Sequence, residues 1–89
     1  MKAIVTVVGK DQVGIIAAVC VKLAEYNVNV MDISQTVMQG YFTMMMVVDV
    51  SAATLPLAEL VGLMEEMGKE RALSIRLQRE DIFEAMHRI

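Results

Sequence analysis

The segment Gly9-Lys10-Asp11-Gln12-Val13-Gly14-Ile15-Ile16 holds the residues best suited to recognising a small molecule. It follows a β-branched run, Ile4 to Val8, and leads into a helical pattern, so two glycines and an aspartate sit at a strand-to-helix junction. Glycine at such a junction lets the backbone turn sharply and approach a bound molecule closely. The first amides of a helix lack intrahelical partners and carry partial positive charge, which suits a carboxylate or another small anion. A second polar stretch, Asn27-Val28-Asn29-Val30-Met31-Asp32-Ile33, closes that helix and opens another strand. Together they read as the equipment of a ligand sensor and not of a catalyst.

Other chemistry lacks donors. His87 is the single histidine and Cys20 the single cysteine, so a multi-ligand zinc or copper site has no ligand set and no internal disulfide can form. Cys20 stands among Val19, Val21 and Leu23 and reads as core packing. Ser34, Ser51 and Ser74 have no paired histidine context for a catalytic triad. The expectation is no catalytic residue, no metal, no cofactor and no enzymatic activity.

The elements that must position the first loop follow from periodicity. Ala3 to Val8 is a strand by its valine and isoleucine content. Ile15 to Tyr26 is a helix, with Ile16, Val19, Cys20 and Leu23 at i, i+3, i+4 and i+7. Val28 to Met38 and Tyr41 to Val50 are strands joined at Gln39-Gly40, a hairpin signal. Thr54 reads as an N-cap with Pro56 in the first turn, Leu57, Leu60, Val61, Met64 and Met67 form the second helical stripe, and Gly68 reads as its stop. Leu73, Ile75 and Leu77 alternate with polar residues as a half-solvated fourth strand. The order β-α-β-β-α-β predicts an α+β, ferredoxin-like fold: a four-stranded antiparallel sheet with two helices on one face. Asp81, as N-cap with Glu84 three residues on, predicts a short C-terminal helix. Residues 1–79 are therefore read as one domain and 80–89 as a helical tail that packs on its own subunit or on a partner.

Composition supplies the partners to expect. Eighty-nine residues form one core, apolar residues make up 56% of the chain, and mean hydropathy is +0.52. The apolar runs are too short to span a membrane, which takes ~20 residues. The second sheet face, carrying Met45 and Val47 opposite the set Phe42, Met44, Met46 and Val48, is unusually apolar, and the expectation is a homodimer formed through this face, the edge strands or the C-terminal helix. Met44 and Met46 read as core and Met45 as an interface contact. A net charge of −3 and a pI near 5.0 speak against nucleic acid and anionic membrane as partners. RNA-recognition motifs share this strand order, but adjacent Tyr41 and Phe42 point to opposite faces and cannot form one stacking platform. The N-terminus carries no signal-peptide pattern, so the expected location is cytoplasmic.

The Gly-x-Asp-x-x-Gly-Ile-Ile turn and the following Asn-Val-Asn-Val-x-Asp-Ile resemble the ACT domain, over about Lys2 to Gln78. The ending Glu80-Asp81-Ile82-Phe83-Glu84-Ala85-Met86-His87-Arg88-Ile89 is similar, more narrowly, to the stand-alone ACT proteins grouped as UPF0237. Many ACT domains carry Pro-Gly where this chain has Val13-Gly14. The resemblance implies a regulatory, homodimeric module that binds an amino acid or related small metabolite at a subunit interface and signals to a regulated protein partner. It implies a site built from Asp11, Gln12, Val13, Gly14 and Ile15, faced by Asn27, Asn29 and Asp32. Each polar residue also has a structural reading. Asp11 suits a helix N-terminus, Asn27 and Asn29 suit a turn, and Asp32 suits an edge strand that must resist aggregation. A constitutive protein-interaction module without a metabolite is the competing function.

Overall fold

The computed structural model describes residues 1–87 of the chain. Its elements are β1 (Lys2–Lys10), α1 (Ile15–Glu25), β2 (Asn29–Met38), β3 (Tyr41–Asp49), α2 (Leu57–Arg71), β4 (Leu73–Arg79) and α3 (Glu80–His87). The four strands form one antiparallel sheet in the order β2-β3-β1-β4, so β1 and β3 are central and β2 and β4 are edges.

Alternation along the central strands divides the sheet into two faces. Ala3, Val5 and Val7 of β1, Phe42, Met44, Met46 and Val48 of β3, and Leu73, Ile75 and Leu77 of β4 point to one face. There they join Ile15, Val19 and Leu23 of α1 and Leu60, Met64 and Met67 of α2 in a single apolar cluster. Cys20 packs against the edge of this cluster, in keeping with a structural thiol. The other face is crossed by α3, which touches β1 and β4 of its own chain.

Both hairpin residues between β2 and β3, Gln39 (φ 49°) and Gly40 (φ 83°), have positive φ. That is the signature of a two-residue type I′ turn, whose twist matches the strands it joins. Met38 therefore pairs directly with Tyr41.

Three local expectations are corrected. The second helix does not stop at Gly68 but runs to Arg71, and Ala72, at φ 58°, takes the left-handed capping position. Gly68 is instead a contact residue: a Cβ there would lie 2.6 Å from the Leu73 carbonyl oxygen, so only glycine lets α2 come this close to β4. Nor does Thr54 cap that helix; Pro56 is the flanking residue and no side chain caps the turn. The C-terminal helix begins at Glu80, so Asp81 lies inside its first turn and is not the N-cap, and its carboxylate accepts from the Ile82 amide at 2.9 Å and from Arg79 Nη2 at 2.7 Å.

Candidate functional site

The β1–α1 loop is anchored on both sides. The Asp11 amide donates to the Gly40 carbonyl at 2.8 Å, tying the loop to the β2–β3 turn. Gln12 Nε2 donates to the Arg71 carbonyl at 3.0 Å, tying it to the end of α2. Gly14 occupies the N-cap of α1 at φ +85°, a conformation that costs an L residue ~1–2 kcal/mol. A Cβ at Gly14 would meet nothing within 4 Å, so the glycine is required by backbone conformation and not by crowding.

No side chain caps α1 and no acidic residue stands in its first turn. Its leading amides therefore present partial positive charge, and the nearby carboxylate on the same pocket is Asp11 in the preceding loop. They border a pocket of about 430 Å³ between the start of α1 and the far half of β2. Asp11, Gln12, Gly14 and Ile15 line it from the loop side, and Gln35, Thr36 and Val37 line it from β2.

The expected site residues thus separate into two groups. Asp11, Gln12, Gly14 and Ile15 come together at one pocket, with Val13 beside them at the loop tip and 99% exposed. Asn27, Asn29 and Asp32 are elsewhere in the same chain. Asn29 pairs with Asp49, which pairs with Lys2, so it stands eight strand residues from Lys10, about 26 Å at ~3.3 Å per residue. Asn27 has φ 59° and donates from Nδ2 to the Ala52 carbonyl at 2.9 Å, which ties down the α1–β2 turn. Asp32 follows the irregularity between Val30 and Asp32 on the edge strand and accepts from its neighbour's amide, Ile33, at 2.9 Å.

Gln35, Thr36 and Val37 are pocket residues that the sequence reading passed over. The signal for them lay in the strand order: in an antiparallel hairpin it is the end of β2, and not its start, that returns to the β1–α1 loop. Among the described residues no three His, Cys, Asp or Glu side chains are grouped to hold a metal ion. Among them, too, no helix is long and apolar enough to cross a membrane.

Comparison with known proteins agrees with this architecture. A family model described as the ACT domain matches residues 2–78. A UPF0237 protein of Bifidobacterium longum is 56% identical over 99% of this chain and 98% of its own length. An ACT domain protein from Streptococcus pneumoniae superposes with a TM-score of 0.82 at 48% identity, covering 98% of both chains. A formyltetrahydrofolate deformylase from Pseudomonas syringae pv. tomato shares the fold over 88% of this chain and 27% of its own, with a TM-score of 0.79 at 21% identity.

Proposed function

The chain belongs to the ACT domain family, within the UPF0237 proteins, and from that premise we propose that it is a non-catalytic, cytoplasmic regulatory module whose homodimer binds an amino acid or related small metabolite. The observation that carries the reading is the pocket between the uncapped start of α1 and Gln35, Thr36 and Val37 of β2. The amides of the α1 turn suit the ligand carboxylate, Asp11 suits an ammonium group, and Gln35 suits an orienting hydrogen bond.

The dimer follows from the edge. Beyond half-buried Val30, every residue of β2 is exposed, including Ile33, Val37 and Met38, and its outer hydrogen-bonding groups are free to pair. A twofold axis would pair β2 antiparallel with β2 of a second copy. A pairing centred near Ser34 sets Asn29 of one subunit beside Gln39 of the other. The start of one β2 then reaches the loop end of the other subunit, and the two separated groups of site residues meet across the interface. Ligand bound there stabilises one dimer geometry, and through linkage alters what the dimer binds next.

Thermal unfolding against the twenty amino acids and common metabolites at millimolar concentration tests this. A ligand at a hundredfold its Kd stabilises the fold by ~2.7 kcal/mol. Each kcal/mol raises Tm by roughly 4–8 °C in a domain of this size. The expected result is a selective shift that Gln35→Ala abolishes without changing the unliganded Tm. A flat panel on folded protein contradicts the sensor and favours the constitutive interaction module, for which the same exposed β2 would be the docking edge.

A further inference from the structure

The sheet face turned away from α1 and α2 carries a groove that the proposed sensor does not use. Its floor is Thr6 and Val8 of β1 with Met45 of β3, one wall is Arg76 of β4, and α3 supplies the other through Phe83 and Met86. The volume is about 510 Å³, inside the range of roughly 300–1,000 Å³ usual for small-molecule sites. Gln78 Nε2 donates to Met86 Sδ at 3.3 Å and fixes the position of α3 against the sheet.

Two features define what would fit. The Arg76 side chain makes no hydrogen bond or ion pair among the described residues, whereas Arg79, three residues further along the strand, is engaged twice by Asp81. Thr6 is the cross-strand partner of Arg76 and Ser74 lies two residues away on the same face, so two neutral hydroxyls flank one uncompensated guanidinium. That set matches a monoanion, and a guanidinium fork matches a carboxylate. The remainder of the groove is apolar, with Val8, Met45 and Met86 all exposed and Phe83 half-buried. From β4 across β1 to β3 is about 9.6 Å at ~4.8 Å per strand, the reach of a medium-length hydrocarbon chain.

We propose that this groove is a second ligand site, for an amphipathic aliphatic monocarboxylate whose head pairs with Arg76 and whose chain lies over Val8 and Met45 toward Phe83 and Met86. It is on the opposite sheet face from the α1–β2 pocket, so it stands or falls independently of the proposed sensor function.

The test is a titration of the full chain with octanoate, followed by amide chemical shifts, with acetate and octanol as the headgroup-only and chain-only probes. Octanoate should give saturable shifts at Thr6, Val8, Arg76 and Phe83 and leave Gly14 and Gln35 unmoved. Arg76→Gln, at an exposed strand position, should keep the native spectrum and weaken octanoate at least ~10-fold, the loss expected for a charge-assisted pair. Octanol and acetate should each bind at least ~10-fold more weakly than octanoate, because each offers half of the match. Absence of saturable shifts, equal affinity in Arg76→Gln, or octanol binding as tightly as octanoate would overturn the site. Shifts of the same amides with protein concentration alone would also overturn it, because a second copy would then cover the groove.

Discussion

Strands β2 and β3 are joined by a two-residue turn and paired along their length, yet they experience opposite environments. In β3, Phe42, Met44, Met46 and Val48 are buried, and two of these four are methionines, a flexible residue type suited to core filling. In β2, the residues opposite them, Val37, Gln35 and Ile33, face the same side and are exposed, because α1 leaves that strip of sheet uncovered. Val37 is 56% exposed while its pair Phe42 is 4% exposed. The difference shows which strand the rest of the chain covers and which it leaves open. β3 is finished by its own chain; β2 keeps apolar surface and a free edge at the rim of the candidate ligand pocket.

The contrast can be broken most severely from the core side. Met46→Ala should destabilise the protein by about 2–5 kcal/mol, the range for truncating a buried large side chain. Chemical denaturation should show a lower midpoint at an unchanged slope. Gly68→Ala should cost ~1–3 kcal/mol, because its new Cβ must push against the Leu73 backbone. Gly14→Ala should cost ~1–2 kcal/mol through the left-handed backbone alone. It should also distort the pocket, so ligand response would fall further than stability does.

On the β2 side, Val37→Ser should change the stability of the monomer by less than ~0.5 kcal/mol, as surface substitutions do. A core-sized loss at Val37, measured by denaturation at low micromolar concentration, would show that β2 is buried even in the monomer. The smallest effect is electrostatic and sits at the opposite end of β3. Hydrogen bonds from the Ser51 hydroxyl and amide, with help from the N-terminal ammonium, hold the Asp49 carboxyl below its ordinary value. Because the folded pKa is depressed, this contribution is full above the unfolded value of about 3.9 and is lost as pH falls through the folded value. Tm should decline in that acid range, and Asp49→Asn should remove a small part of the decline.

Much of the fold was legible because the local signals agreed with one another. The β-branched β1, the i, i+3, i+4 stripe of α1, and the Gln39-Gly40 turn each pointed to the same topology, and β1, α1, β2 and β3 stand within two residues of their expected bounds. Gly68 was misread because a glycine near the end of a helix looks alike whether it caps the helix or admits a neighbouring strand. Only the position of Leu73 distinguishes the two. The loop half of the candidate site was readable from Asp11 to Ile15, since it depends on one contiguous segment. The residues that line the pocket from β2 within one chain, Gln35 to Val37, were not singled out, because only the strand pairing shows that β2 carries its far end back to the loop. Asn29 and Asp32 were expected at a subunit interface, and reaching the loop from their places on β2 takes a second chain.

Whether a second copy completes β2 is tested by sedimentation velocity at tens of micromolar, comparing the native chain with Val37→Lys. The native chain should sediment as a dimer and the variant as a folded monomer, since a charge on the exposed edge leaves the core untouched and obstructs β2–β2 pairing. A native chain that sediments as a monomer, or a Val37→Lys variant that remains fully dimeric, would contradict it.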